Sequence, residues 1–264
     1  MASAQTVILY QNTFDSPLST PTANCGPDVS ITLVNTLWGG TGLGTGGGGL
    51  FMQQFTVETI LINGTDNQYT DPLVTGGDYC LGMYSSNQND KLALTLNSQM
   101  LPFINLSFLM SPIDLAGCTG PFGPETSVMG LTVYDSPGGT FSFPPSNTIL
   151  DTDTIMGGSP GSTPYTFNWS NNSTSFDINN SIDGNITIVF DLIEGVYAAI
   201  DNIVVTSSTT PICDSSPQVI AESGDIYINE ACYGVILTAP NGNCFRLRVQ
   251  EDGSFISESI SCPQ

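Results

Sequence analysis

The stretch from Gly224 to Pro263 constrains the fold more than any other part of this chain. It is a series of short apolar-alternating segments broken by turn signals. Asp225-Ile-Tyr-Ile, Val235-Ile-Leu-Thr, Cys244-Phe-Arg-Leu-Arg-Val and Phe255-Ile-Ser-Glu-Ser-Ile are separated by turns such as Pro240-Asn-Gly and Glu251-Asp-Gly. Asn-Gly and Asp-Gly between such segments are strong hairpin signals, because both residue types tolerate the positive φ that a tight β-turn needs. A period of two cannot present one face of a helix, so this region is read as β.

The same pattern runs upstream. Thr56-Val-Glu-Thr-Ile-Leu-Ile62 and Leu92-Ala-Leu-Thr-Leu96 alternate as half-buried strands do. Ten candidate strands follow: 7–10, 29–34, 50–62, 78–84, 91–96, 103–110, 127–134, 165–169, 185–192 and 198–206. No long helical apolar pattern interrupts them. The expected fold is all-β, a jelly-roll-like β-sandwich over 1–207. A Ser/Thr/Pro linker at 208–211 leads into a small β module over 212–264. Two irregular regions stand out. The glycine run Gly39–Gly49 lacks the Lys-Ser/Thr and following helix of a phosphate loop, so it is read as a surface loop. Asp135–Pro164 is rich in Pro and Gly and is read as a second long loop.

Charge excludes several functions. The chain carries 24 acidic residues against three basic ones, with no His, for a net charge of −21. Nucleic-acid binding needs a basic footprint, and an anionic membrane surface needs one too. No apolar run reaches membrane-spanning length. Without His, the common Ser-His-Asp and Cys-His mechanisms are ruled out. A glycosidase needs only two carboxylates, and Glu58, Glu125 and Glu194 are candidates on composition alone. The expectation is that the protein is not an enzyme.

Seven cysteines are scattered near turns, with no zinc-knuckle spacing. Cys213, Cys232, Cys244 and Cys262 fall in the small module and are expected to staple it with disulfides, connectivity open. Cys25, Cys80 and Cys118 remain, so one is free or pairs between chains. Met1-Ala-Ser-Ala-Gln-Thr has no basic start and no apolar core, so no signal peptide is recognised. Release by cell lysis, as virion proteins are released, is the simpler expectation, and a mature secreted form is the alternative.

Two resemblances add to this reading. The segment Gly234-Val-Ile-Leu-Thr-Ala-Pro-Asn-Gly242, followed by the strand bearing Arg246 and Arg248 and then Asp252-Gly, resembles a β module of phage virion appendages and of surface proteins of Bacteroidetes. Tyr10-Gln-Asn-Thr-Phe-Asp15 and Ala199-Ile-Asp-Asn-Ile-Val-Val205 resemble the two ends of carbohydrate-binding-module jelly rolls. That second resemblance implies a structural Ca²⁺ with Asp15, Asp201 and Asn12 among its oxygen ligands.

Sugar sites on sandwiches use aromatic faces with polar groups at the ring edge. Trp38, Trp169 and Tyr165 are the candidates, with Tyr69 and Tyr84 beside them, although a Trp serves as readily in a core. Arg246 and Arg248 form a cationic pair on an acidic chain and are expected to meet carboxylates of a neighbouring subunit. The expected function is adhesion or assembly as a spike, fibre or decoration protein on the virion surface of a phage of a Bacteroidetes host. Its partners would be host surface glycan or protein, other virion proteins and further copies of itself, a trimer by analogy. The alternative is a secreted or cell-surface, Ca²⁺-stabilised carbohydrate-binding module, and a glycoside hydrolase or lyase is third.

Overall fold

The computed structural model describes residues 6–25, 27–39, 50–85, 88–115, 125–212, 219–222, 225–228, 235–240, 242–249 and 255–260. Two compact units divide the chain, Met1–Thr210 and Pro211–Gln264. The first opens with β1 (Thr6–Asn12), β2 (Val29–Ser30), a short helix α1 (Val34–Trp38), β3 (Phe51–Gln54) and β4 (Glu58–Leu61). Then come β5 (Tyr79–Tyr84), β6 (Lys91–Asn97), β7 (Phe103–Pro112) and β8 (Val128–Asp135). It closes with β9 (Ile149–Met156), β10 (Ser170–Asp177), β11 (Asn185–Glu194) and β12 (Tyr197–Ser208).

These strands form two antiparallel sheets of a jelly-roll-like sandwich. One runs β10-β7-β12-β5-β4-β2, with β1 also paired to β12. The other runs β3-β6-β11-β8-β9. The side-chain period of two sorts each strand between faces. Leu92, Leu94 and Leu96 of β6 and Ile186, Ile188 and Phe190 of β11 point between the sheets. There they meet Leu81 and Met83 of β5 and Ala198 and Ile200 of β12. Tyr197, Ala199, Cys80 and Ile60 turn the other way and build a second apolar layer outside the larger sheet.

Several expected strands differ. The 29–34 segment pairs only at Val29 and Ser30 before α1 begins. The 50–62 segment splits into β3 and β4 because Phe55 takes a left-handed φ of 62° and turns the chain. Residues 165–169 are loop, with Tyr165 at φ 60°. The 135–164 region holds β9 rather than loop alone. Asp151 and Asp153, which could be read as a cation pair, tie β9 to β10 instead. An Asp151 Oδ2 accepts the Asp177 N–H at 2.8 Å, and the Asp153 carboxylate accepts the Thr174 hydroxyl. These bonds join the rims of the two sheets.

The second unit holds a two-stranded sheet, β13 (Val219–Glu222) with β14 (Asp225–Ile228), and a three-stranded sheet. The latter runs β15 (Val235–Thr238), β16 (Cys244–Val249) and β17 (Phe255–Ile260). The β15–β16 connection turns at Gly242, whose φ is 82° and whose N–H donates to the Ala239 carbonyl. Cys244 is buried and disulfide-bonded. Cys213, Cys232 and Cys262 lie outside the described residues, as does Cys118. Arg246 stands opposite Glu258, and Arg248 opposite Ile256.

Asp90 shows how polar side chains hold the first unit together. It is buried, and its two oxygens accept the Thr56 N–H at 3.0 Å and the Tyr84 N–H at 2.8 Å. Burial pushes its carboxyl up to about 6 against these two bonds. A carboxyl that is a weaker acid in the fold than in the unfolded chain binds its proton preferentially in the fold. Its contribution to stability is therefore greatest below about pH 4 and declines as pH rises toward 6, by at most roughly 2–3 kcal/mol. Asp90→Asn removes that titration and one of the two bonds, because an amide nitrogen cannot accept an N–H. The stability gap between wild type and Asp90→Asn is expected to be widest near pH 4 and to narrow by pH 7. Urea unfolding at four pH values measures it, and a gap that widens with pH contradicts the assignment.

Candidate functional site

A cleft of about 300 Å³ opens on the outer face of the larger sheet. Four tyrosines line it, Tyr69, Tyr84, Tyr165 and Tyr197, together with Glu58 and Gln68. Strand register places the floor. Glu58 on β4 pairs with Gly82 on β5, and the next strand over brings Tyr197 of β12 opposite Tyr84. Gly82 lies between them. A Cβ built there would sit 2.0 Å from the Tyr197 Oη, so only glycine lets that ring cross the strand. The ring's hydroxyl then donates to Glu58 Oε2 at 2.7 Å.

The walls come from two pinned loops. Asp28 is fully buried, and its carboxylate accepts the N–H groups of Asp66 and Gln68. This fixes the segment that delivers Gln68 and Tyr69. Tyr165 is held by its neighbours. The Thr70 N–H donates to the Tyr165 carbonyl, the Phe167 N–H donates to the Thr70 carbonyl, and the Tyr165 N–H donates to the Asp114 carbonyl. The aromatic rings then make a continuous row. Tyr165 meets Tyr69 edge to face at 5.6 Å, Tyr69 stacks on Phe167 at 5.9 Å, and Phe167 stacks on Trp169 at 4.9 Å.

The chemistry of the cleft is apolar walls with acceptors at the base. Burial raises the Glu58 carboxyl above its ordinary range, and the Tyr197 hydroxyl partly offsets this. Burial likewise raises the Tyr69 and Tyr197 phenols, so both are hydroxyl donors at neutral pH. Gln68 Oε1 is buried and accepts no hydrogen bond among the described residues. Such an atom loses free energy unless a ligand or water supplies a donor. Cys25 and Pro27 contribute to the lining, and both Cys25 and the buried Cys80 are free thiols.

At the other end of the aromatic row lie three carboxylates. Asp71 accepts N–H bonds from Leu73, Thr75 and Gly76 and from the Trp169 indole. Asp15 Oδ1 accepts the Asp78 N–H at 2.7 Å. Asp201 is 1% exposed and accepts only the Asn202 N–H among the described residues. Burial, with Asp15 and Asp71 nearby, raises its carboxyl to about 8.

The expected Ca²⁺ ligands thus separate. Asp15 and Asp201 each keep one oxygen that accepts no hydrogen bond among the described residues. Asn12 Oδ1 is engaged by the Phe14 N–H at 2.7 Å. Among the described residues no group of three or more His, Cys, Asp or Glu side chains is gathered closely enough to hold a metal ion. The protein residues fit a cation only if backbone carbonyls or water complete the oxygen shell around this pair.

Of the expected aromatic ligands, Tyr165 lines the cleft. Trp169 borders it through Phe167 and is half-buried. Trp38 is a core residue: it is 4% exposed, its ring meets Phe14 edge to face, and its Nε1 donates to Thr59 Oγ1. It offers no face to a ligand. It ends α1, a helix with two other buried residues, and that amphipathic turn could not be told from a strand end in the sequence. Residues 40–49 of the glycine run lie outside the described residues. Arg246 is half-buried, and the Arg248 side chain lies outside the described residues. Gln68 and Tyr197 escaped sequence reasoning. Tyr197-Ala-Ala-Ile-Asp201 does carry a signal, since Tyr197, Ala199 and Asp201 share one face of a strand.

No protein-family model matches the chain, and no curated protein does. Solved structures do match. A xylan-binding domain of carbohydrate-binding-module family 22 from Paenibacillus barcinonensis is 10% identical, covers 79% of this chain and 99% of its own, and has a TM-score of 0.37. The K3 cleaved adhesin domain of Lys-gingipain from Porphyromonas gingivalis is 13% identical, with coverage of 77% and 99% and a TM-score of 0.37. The enzymatically active domain of a tailspike protein of bacteriophage CBA120 is 12% identical, with coverage of 59% and 18% and a TM-score of 0.32. These are the kinds of protein that the two sequence motifs resemble. Identities this low with TM-scores below 0.5 carry no information about ligand or role.

Proposed function

We propose that this chain is a non-enzymatic adhesion protein that binds glycan through the tyrosine cleft. The observation that carries the reading is the cleft itself, with four tyrosines around an acceptor-bearing base. Flat aromatic rings bury the apolar face of a sugar ring while polar groups at the edge take its hydroxyls. A binding role is favoured over hydrolysis because Glu58 is the one carboxylate in the described lining, whereas glycoside hydrolysis ordinarily uses two. Tyr84→Ala and Tyr165→Ala, both half-exposed at the wall, are each expected to weaken retention of a bound polysaccharide in affinity electrophoresis about threefold to tenfold. Retention unchanged in both variants would remove the cleft from the site.

The setting we propose is the virion surface of a phage of a Bacteroidetes host, as a spike, fibre or decoration component. The C-terminal motif supports this. In that setting Arg246 and Arg248 would contact carboxylates of a neighbouring copy in a closed oligomer, a trimer by analogy with fibres. Light scattering on the Arg246→Ala/Arg248→Ala variant tests it, and a normal oligomer in the variant overturns the contact. A second reading is a secreted or cell-surface carbohydrate-binding module, favoured by the Asp15 and Asp201 ends of the sandwich. Gold-labelled antibody on intact particles separates the two settings. In both we propose that Asp15 and Asp201 hold a structural Ca²⁺.

A further inference from the structure

No described residue that lines the cleft carries a positive charge. The chain contains one Lys and two Arg, so no residue type other than these three side chains could supply one. Lys91 is paired with Asp191 on β6 and β11, in the opposite sheet of the sandwich. Arg246 and Arg248 are not among the described lining residues. What the base of the cleft does hold is the Glu58 carboxylate, with Gln68 in the lining beside it, whose Oε1 is buried and accepts no hydrogen bond among the described residues. The Tyr197 hydroxyl, the donor at the base, is already directed at Glu58.

We propose that the cleft selects uncharged, hydroxyl-donating sugars and excludes those bearing carboxylate or sulfate, with Glu58 and Gln68 setting that choice. This rests on the glycan-binding reading above. A sugar hydroxyl offers the donor that Gln68 Oε1 lacks and that a carboxylate prefers. A uronic acid or sulfate ester brings an anion into a half-buried site with no cation in its described lining to compensate its lost hydration, and faces it with a like charge. The ring walls discriminate weakly between sugars, because every pyranose has an apolar face. Discrimination by charge therefore falls on the polar base.

Two sources of charge selectivity must be separated. The net charge of −21 repels any polyanion at long range, whatever the cleft does. Salt at about 0.5 M shortens that range to a few ångströms and leaves a contact inside the cleft largely unscreened. The experiment uses the full chain on an array of paired polysaccharides. The pairs are hydroxyethyl- and carboxymethyl-cellulose, methyl-esterified and de-esterified galacturonan, galactan and sulfated galactan, and dextran and dextran sulfate. Binding is read at 0.05 and 0.5 M NaCl for wild type and Glu58→Gln.

The expected result is a preference of at least about tenfold for the neutral member of a bound pair, retained at 0.5 M NaCl. Glu58→Gln should bind the neutral member less well and shrink the preference several-fold, because the like charge is gone. A preference that disappears at 0.5 M NaCl in wild type overturns the inference while leaving glycan binding intact. So does equal or stronger binding of the acidic member. A preference untouched by Glu58→Gln removes Glu58 from the selection. Binding to no member of any pair overturns the glycan-binding reading itself, and this inference with it. The wild-type salt comparison stands whether or not the variant folds.

Discussion

Asp201→Asn is expected to raise the melting temperature of the metal-free protein by about 5–10 °C. Asp201 is a carboxyl with 1% exposure, beside two further carboxylates, and its titration is raised to about 8. At pH 7 the fold must either keep it protonated or hold a buried anion, and both cost free energy relative to the unfolded chain. Because the folded value lies above the ordinary 3.8, stability in the absence of metal falls as pH rises from about 4 toward 8. Asn is nearly isosteric, is neutral at every pH and still accepts the Asn202 N–H, so it removes that penalty. Discounted for relaxation and partial hydration, the gain is on the order of 2–3 kcal/mol.

Calcium reverses the sign. If Asp15 and Asp201 hold Ca²⁺, the ion supplies the positive charge that this end of the sheet lacks, and wild type gains stability by mass action. Asp201→Asn then loses most of that gain. Scanning calorimetry of both proteins, with EDTA and with millimolar Ca²⁺, gives four midpoints. A wild-type midpoint indifferent to Ca²⁺ would end the proposal of a structural cation. A metal-free variant that melts below wild type would show that the Asp201 carboxylate supports the fold in its own right.

Gly82→Ala is expected to abolish ligand binding and to destabilise the first unit by about 1–3 kcal/mol. The new methyl would stand 2.0 Å from the Tyr197 Oη and 3.1 Å from Ile60 Cδ1. Tyr197 is 3% exposed and packed among Tyr69, Cys80 and Ala199, so the open space its ring can enter is the cleft that it lines. It must leave its place, and its hydrogen bond to Glu58 goes with it. The melting temperature should fall by about 3–10 °C and glycan retention by more than tenfold. Gly158→Ala is the control, since its added methyl makes only ordinary contact with Ser170 at 3.6 Å. Retention preserved in Gly82→Ala would mean that the floor of the cleft plays no part in binding.

The fold was legible where strands alternate strongly and opaque where they do not. β6, β8 and β11 read plainly, because apolar residues recur every second position. β10 reads Ser-Asn-Asn-Ser-Thr-Ser-Phe-Asp, with only Thr174 and Phe176 of the types enriched in strands, and only Phe176 of it is buried. It is a strand because β7 offers eight consecutive backbone partners, from Met110 back to Phe103. That is a tertiary cause, invisible in a local window. The site was half legible for a similar reason. Tyr165, Tyr69 and Tyr84 could be picked out as aromatics near loops. The convergence of Glu58 and Tyr197 depends on β4, β5 and β12 lying side by side, and β12 is more than a hundred residues from the other two. Trp38 misled because an aromatic beside a glycine run looks exposed, while the fold turns it inward onto Phe14.

The Asp151 and Asp153 bonds at the rim of the sandwich bear on how many copies can stand close together. β9 and β10 end their respective sheets, and an unpaired strand end is a template on which another chain can add by backbone pairing. Here β9 carries two carboxylates, Asp151 and Asp153, that accept from the Asp177 N–H and the Thr174 hydroxyl of β10. A second molecule approaching that rim meets negative charge and finds the Asp177 N–H already taken. At this rim, fusion of neighbouring sandwiches into a shared sheet through β9 or β10 is thus opposed when copies are crowded to high local density.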